Sequence, residues 1–361
     1  MQPGDSIAEG QRIMTICNSC RYCEGYCAVF PAMEQRLEFS HADMNYLANL
    51  CHNCGECLYA CQYAPPHEFA VNVPEVLATI RVASYGQYAR PQALAASFRR
   101  NGQVVLWILG LSVVFSLIVA AANGRLVSAA GSSFYDVIPH EVMVAVFGGV
   151  SLLSVIALAA GFAAFWRESG LGAARLTDLP ALRRAARDAM TLRYLDQDGL
   201  GCTYPTDTRS QSRRIYHHFT FYGFLLCFAS TTVAAIYHYA GLEAPYAYLS
   251  APVVLGTLGG FGLLIGPAGL YAVKRRRDPA LADPAQDGMD VVFIAMLFLS
   301  GLTGLLLLAL RETTAMSLLL VVHLATVLAL FVSLPYGKFV HGIYRVAALI
   351  RYALEQKPGP G

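Results

Sequence analysis

The sequence predicts a mainly α-helical protein in two parts: a polar, cysteine-rich N-terminal domain and a six-helix transmembrane bundle behind it. Three observations predict this. Eight of the ten cysteines fall within residues 17–61, in two copies of one spacing. The mean hydropathy is +0.46 and only 14% of residues are charged, which is too apolar for a soluble globular chain. The apolar residues are also unevenly placed: residues 1–103 are mixed and polar, and long apolar runs begin after them.

The first part carries the strongest chemical signal. Its two cysteine runs are Cys17, Cys20, Cys23, Cys27 and Cys51, Cys54, Cys57, Cys61. Each reads C-x2-C-x2-C-x3-C, the run that ligates [4Fe–4S] clusters in bacterial ferredoxins. A cubane cluster needs four thiolates around one small volume, and three closely spaced cysteines on a tight loop supply three of them. In two-cluster ferredoxins the last cysteine of each run ligates the other cluster. The expected ligand sets are therefore Cys17, Cys20, Cys23 and Cys61 for one cluster and Cys51, Cys54, Cys57 and Cys27 for the other, in a two-cluster ferredoxin-like domain over residues 1–103. The proline of the ferredoxin signature is displaced: Pro31 comes four residues after Cys27, and Pro65 and Pro66 follow Cys61 in the same way. Zinc is the blander reading, but structural zinc sites use four ligands as two separated pairs, which doubled triplets fit poorly. Disulfide frameworks belong to small secreted domains, and no apolar stretch near Met1 reads as a signal peptide. His41, His52 and His67 lie nearby and read as surface or supporting residues, because the thiolates already fill the sites.

The second part, 104–361, holds the spans. A transmembrane helix needs about 20 apolar residues, and six segments qualify: 104–122, 142–166, 215–240, 252–273, 291–310 and 315–334. With a cytoplasmic N-terminus, 24 of the 26 Lys and Arg lie on the inner side, and only Arg125 and Arg311 lie outside. The positive-inside rule then places both termini and the cysteine domain in the cytoplasm of a multi-pass protein of the bacterial inner membrane, where thiols stay reduced. The loop 167–214 contains one amphipathic stretch, Leu176 to Leu195, suited to the membrane surface or to supporting the cysteine domain. Lys274, Arg275, Arg276 and Arg277 read as topology determinants, and Asp278 to Asp290 as a flexible connection. Gly259-Gly260 and Gly266-Pro267 interrupt the fourth span. The formal net charge is +2, and no nucleic-acid partner is expected.

Ionisable residues within spans default to functional hypotheses. His217 and His218 open the third span and His238 closes it. His323 lies in the sixth span and His341 just past it. His323 and His341 are 18 residues apart, about five whole turns at roughly 100° per residue, so both face one way, with Pro335 between them able to kink the helix. His217 to His238 is roughly 60° out of register. His217 and His341 then meet at the cytoplasmic end and His238 and His323 towards the outer end, the arrangement that two stacked haems b between facing helices require. His218 is the reserve ligand at the inner end and His140 at the outer. A single haem is the intermediate case, and a helix cap or interface residue is the plain reading of any one histidine alone. Arg213, Arg214 and His218, with Tyr216 and Tyr222 nearby, are quinone candidates, although basic and aromatic residues also serve as interface anchors. Cys227 reads as a small apolar residue; Cys202 has no assigned role.

The two cysteine runs, the segments CHNCGECLYACQYAPPHEFAVNVP and RRIYHHFTFYGFLLC, and the LPYGKFVH ending together resemble the tricarballylate-utilisation protein B (CitB-like) family over nearly the whole chain; the family also occurs fused in a cobalamin-synthesis flavoprotein. The stretch from His323 to His341 is locally similar to the last haem-bearing helix of nitrate-reductase gamma subunits. The resemblance implies a function. A partner flavoprotein oxidises a tricarboxylic acid such as tricarballylate, and the B protein reoxidises its reduced FAD and passes electrons to the membrane. It implies cluster ligands at all eight cysteines and haem in the membrane part, without naming a histidine pair.

The expected function is thus an electron wire, from a FAD-dependent dehydrogenase through two [4Fe–4S] clusters and haem b to the quinone pool. No G-x-G-x-x-G fingerprint follows a strand, which argues for a separate flavin subunit. The same chemistry run backwards, from quinol to a cytoplasmic acceptor such as a heterodisulfide, is the alternative. A membrane redox sensor lacks room for an output domain. A transporter would show internal repeats or interrupted helices with polar residues at mid-membrane; the glycines interrupt the fourth span, but the intramembrane charges are missing.

Overall fold

The computed structural model describes residues 3–124, 133–197, 199–281 and 284–356. Among these residues the regular structure is helical, with no strand and one isolated antiparallel bridge between Cys202 and Ser210. Arg125, expected in the first outer loop, lies outside the described residues.

The N-terminal domain comprises α1 (Pro3–Cys20), α2 (Val29–Glu34), α3 (His41–Leu50), α4 (Glu56–Tyr59) and α5 (Val73–Tyr88). A capping box starts α3: Ser40 Oγ accepts the Asp43 amide while the Asp43 carboxylate accepts the Ser40 amide, each at 3.2 Å. At the start of α5, Asn72 accepts the Glu75 amide at 3.2 Å, with Pro74 in the first turn, where its missing N–H costs nothing. Met14, Met44, Leu47 and Leu77 are fully buried where α1, α3 and α5 pack together.

A short helix, α6 (Gln92–Ser97), leads into α7 (Asn101–Ala122). After the brief α8 (Phe134–Val137) come α9 (His140–Glu168), α10 (Leu179–Thr191), α11 (Ser212–Tyr239), α12 (Ala251–Arg275), α13 (Pro284–Ala309), α14 (Met316–Ser333) and α15 (Val340–Glu355). Six of these, α7, α9 and α11 to α14, are long and apolar enough to cross a membrane. Trp107, Leu153 and Ile236 point outward from them, 74%, 67% and 60% exposed, as lipid contact requires.

The structure changes four expectations. The amphipathic helix is α10 alone, shorter than 176–195. Asp178 caps it by accepting the Ala181 amide at 3.0 Å, and Leu192 ends it in the left-handed region at φ 50°.

The described part of the connection after the fourth span is not loose; residues 282 and 283 lie outside the described residues. Tyr59 donates to Asp278 at 3.0 Å, and the side-chain amides of Asn53 and Asn72 donate to the carbonyls of Leu281 and Ala280 at 2.9 and 2.8 Å. Asp287 and Asp290 already belong to α13. Lys274 pairs with both at 2.8 and 2.9 Å, Arg277 with Asp287 at 2.7 Å and Lys338 with Asp290 at 2.8 Å. Lys274 and Arg277 therefore clamp α12 to α13.

Nor do the glycines interrupt the fourth span: α12 runs unbroken through Pro267. They let α12 lie directly on α11. A Cβ on Gly259 would sit 2.7 Å from the Cys227 amide nitrogen, and one on Gly269 would run into the Tyr216 ring. Small residues permit this backbone approach between membrane helices.

The sixth span, finally, does not continue to His341. It stops at Ser333, whose carbonyl accepts the amides of Tyr336 and Gly337 at 3.2 and 2.9 Å. Pro335, lacking an N–H, sits in that turn. His323 and His341 thus lie on different helices, and a turn count across one continuous helix does not apply.

The break frees α15 to turn back onto the cysteine domain. Tyr344, Ala347, Ala348 and Ile350 share one hydrophobic core with Tyr46, Tyr85 and Tyr88 of the N-terminal helices and with Phe165 of α9. Charges reinforce the junction: Arg36 pairs with Asp43 at 2.7 Å and with Glu355, and Arg351 reaches Asp43 at 3.0 Å. The polar domain is built into the end of the bundle.

Candidate functional site

Each cysteine run is shaped by its local fold. Cys17 and Cys20 occupy the last turn of α1. The chain then reverses at Arg21, at φ 53°, to present Cys23 and Cys27 before α2. In the second run Cys51 caps the C-terminus of α3, Asn53 is left-handed at φ 55°, and Cys57 rides on α4. Gly55, at φ 86°, is required there: a Cβ would press on the Thr203 carbonyl at 3.1 Å.

The structure groups the thiols across the two runs. Cys17 lies in electrostatic range of Cys20, Cys23 and Cys61. Cys57 lies in range of Cys51, Cys54 and Cys27, and also of Cys23, which links the groups. Burial, reinforced by neighbouring cysteines, pushes the Cys17, Cys23 and Cys27 thiols up to about 12. Such thiols resist ionisation unless a cationic metal centre compensates them. A cavity of about 230 Å³ lies among Cys17, Cys20, Cys23, Cys57 and Cys61, walled by Phe30. Among the described residues no three His, Cys, Asp or Glu side chains converge to hold a single metal ion; a cubane spreads its four thiolates around a larger core. The donor set suits iron–sulfur chemistry, and the cavity offers space for it at the first group. The first group is part-exposed, whereas Cys51 and Cys54 in the second are buried.

Around the second run the structure adds Arg81, Arg345, Thr203, Glu56 and Arg209, and it brings there Arg213, one of the quinone candidates. Arg81 and Arg345 both donate to the Cys51 carbonyl, Arg345 at 2.6 Å. Arg213 donates to the Asn53 carbonyl at 2.8 Å and lies over the Tyr204 ring. Thr203 donates to the Cys54 carbonyl at 3.3 Å, and Cys202, buried, lies in range of the Cys54 thiol. Buried Glu56 is held by Arg209 at 2.5 Å. His52 is buried against Tyr194. Burial, with Arg345 and Arg213 nearby, keeps its imidazole well below the usual histidine range and therefore neutral. His41 pairs with Glu168 at 3.1 Å, and His67 stacks edge-on with Tyr63 and Phe69.

The histidines divide by depth. His217 and His341 meet at the end nearest the cysteines, ring centres 6.1 Å apart and planes at 81°. Two metal–imidazole bonds of about 2.0 Å each, on opposite sides of one metal, separate the ring centres by roughly 6 Å. The two rings are therefore spaced as imidazoles able to share one metal ion would be. His341 Nδ1 lies 2.6 Å from the Lys338 carbonyl. Donation there fixes the tautomer and leaves the Nε2 lone pair free. Burial first, then Lys338, hold the imidazole of His341 at about 3, neutral as a ligand must be. The Nδ1 atom of His217 is buried without a hydrogen-bond partner among the described residues.

The outer pair is not assembled. His238 stacks on His140, the reserve residue, with ring centres 3.6 Å apart, and Tyr135 edges onto both. That spacing leaves no room for a metal between the rings. His323 lies apart, its Nδ1 3.0 Å from Thr303 Oγ1. The reason is depth: His238 is one residue from the end of α11, while His323 is seven residues into α14, about 10 Å along the axis.

The quinone candidates are also otherwise engaged. Arg213 holds the Asn53 carbonyl, and Arg214 pairs with Asp196 at 2.6 Å while donating to the Thr191 carbonyl at 3.0 and 3.1 Å. His218 faces Tyr222 and the end of α10, away from the His217–His341 pair.

Comparison with known proteins agrees with this division. The family described as "Citrate utilization protein B" matches residues 95–360, and its Fer4-like domain matches residues 10–87. A relative from Escherichia coli named "Citrate utilization protein B" is 50% identical over 356 residues, covering 98% of this chain and 93% of its own. No solved structure matches. With both family segments matched in order and a relative aligned end to end, the chain belongs to the citrate utilization protein B family.

Proposed function

We propose that the chain is a membrane electron-transfer subunit. It takes electrons from a reduced FAD-dependent dehydrogenase that acts on a tricarboxylic acid of the citrate or tricarballylate type, and delivers them to membrane quinone. Cys17, Cys20, Cys23 and Cys61 would hold one [4Fe–4S] cluster, Cys51, Cys54, Cys57 and Cys27 the other, and His217 and His341 a haem b. When bound, these groups supply one-electron centres that divide the two-electron chemistry of a flavin.

The residues of the chain do the rest. Cys20 and Cys23, with the exposed Tyr22 (67%) between them, offer a surface where a soluble partner can dock. Cys51 and Cys54, under Thr203 and Arg213, are closed to water. The Lys338 carbonyl orients His341. The observation that carries the reading is continuity: Arg345, one turn beyond His341, bonds the Cys51 carbonyl. The second thiol group and the inner histidine pair are thereby neighbours.

The test is the visible spectrum of the purified protein in detergent. Reduced b-type bands should appear on adding the reduced flavoprotein and vanish on adding a quinone analogue. Iron–sulfur content without haem absorbance would sink the histidine assignment, and absence of both would sink the whole reading.

A further inference from the structure

One buried arginine, Arg81, and two half-buried ones, Arg213 and Arg345, converge between the second cysteine group and the inner histidine pair, and none of them is in an ion pair among the described residues. Arg213 precedes His217 by four residues on α11, and Arg345 follows His341 by four on α15. Each therefore lies one turn from its histidine, on the same helix face. Arg81 joins them from α5. Arg81 and Arg345 share the Cys51 carbonyl, and Arg213 takes that of Asn53. The groups that act electrostatically on Arg345 are Arg81, Arg213, the Cys51 thiol and Tyr85, with no carboxylate among them. Asp290, in range of Tyr85, is committed to Lys274 and Lys338.

Much of the donor capacity of this group is unused. Arg81 Nε and Nη2, Arg345 Nε and the Tyr85 hydroxyl are buried without a hydrogen-bond partner among the described residues. Arg81 is only 5% exposed. Guanidinium donors held away from water without acceptors are unfavourable, and an anion that accepts from them removes that cost. Planar guanidinium groups match carboxylates best, two bonds at a time.

We propose that Arg81, Arg213 and Arg345, with the Tyr85 hydroxyl, form a buried carboxylate seat for the acidic side chains of the porphyrin held between His217 and His341. The proposal rests on the haem reading above. It gives the arginines a role that their position beside the cysteines alone does not: they fix which edge of the macrocycle faces the cluster domain. Arg81 and Arg345 act as positioning residues, since their bonds to the Cys51 carbonyl tie that edge to the second cysteine loop.

The experiment uses the full-length protein in detergent, depleted of haem with its iron–sulfur content retained. It is titrated with protohaem and with protohaem dimethyl ester, and Soret absorbance is followed. The wild type should bind the free acid roughly ten-fold or more tightly than the ester. R81Q/R345Q should bind the acid no better than the ester while leaving ester affinity unchanged, and R345K should fall between. Equal affinity of the wild type for acid and ester would overturn the seat. So would loss of affinity for both ligands together, which signals a purely structural role. If the variants preserve the discrimination and shift only the redox midpoint of a cluster signal, the arginines serve the cysteine loop and the proposal fails. If the wild type takes up neither ligand, the haem reading itself is wrong.

Discussion

Arg345 and Cys51 stand 294 positions apart in the sequence, yet the Nη2 of one reaches the carbonyl of the other at 2.6 Å. That bond joins the last helix of the chain to the second cysteine loop. It makes α15 a member of both halves of the molecule, since the same helix carries His341 beside the bundle and Tyr344 in the core of the polar domain.

Crossed ligation predicts which substitutions behave alike. Cys61→Ser and Cys17→Ser should each remove the same cluster signal, although the residues belong to different runs. Cys27→Ser should remove the other. Electron paramagnetic resonance of the reduced protein, with iron analysis, checks this. If Cys61→Ser instead abolishes the signal lost in Cys54→Ser, ligation follows the runs and not the fold.

For the histidines, His217→Ala or His341→Ala should abolish haem absorbance and leave cluster iron unchanged. His140→Ala and His238→Ala should leave the haem spectrum intact, because those rings stack on one another. A spectrum that survives both inner substitutions would disprove the inner pair.

The α11–α12 seam makes a prediction about stability. Gly269→Ala places a methyl group against the Tyr216 ring and should destabilise by about 1–3 kcal/mol, the usual cost of overpacking. Gly110→Ala in α7, where nothing lies within 4 Å, should change stability by no more than about 0.5 kcal/mol. Thermal unfolding of both variants in one detergent decides it; equal midpoints would mean that the seam can yield.

Asp43 should govern acid sensitivity. Burial alone would raise its carboxyl, but Ser40, Arg36 and Arg351 outweigh burial and hold it below the ordinary carboxylate value. A carboxylate depressed in the folded state stabilises the protein above its unfolded pKa of about 3.9. That contribution is lost as pH falls through the folded value. Asp43→Asn should therefore cost about 3 kcal/mol at neutral pH, because it strips a largely buried ion-pair network of one partner. It should also flatten the acid limb of the stability curve below roughly pH 4. Helicity followed against pH and denaturant tests both points; an acid limb parallel to that of the wild type would exclude Asp43 as its source.

Much of the architecture was legible in sequence because membranes enforce simple rules. Length and hydropathy place six spans to within a few residues, and the doubled C-x2-C-x2-C-x3-C spacing marks the eight thiols. The inner histidines do lie side by side, although the turn count that placed His341 ran across the break at Pro335. The outer pairing failed where periodicity was carried across Pro335, and where His238 proved to lie at a helix end while His323 lies deeper. The glycines of α12 read as breaks, since a sequence shows that glycine weakens a helix but not which neighbour needs the space. Arg81 and Arg345 were missed because their partners are main-chain carbonyls, which leave no mark in composition. The four-residue spacing of His341 to Arg345, mirrored by Arg213 to His217, was the available signal.

The turn at Pro335 has a consequence for how the protein is made. Residues 340–355 leave the ribosome only after all six candidate spans. Until they arrive, Arg36 and Asp43 lack Glu355 and Arg351, Cys51 lacks one of its two guanidinium donors, and His217 lacks its partner. The helices that precede the first span are thus completed by a helix that follows the last one.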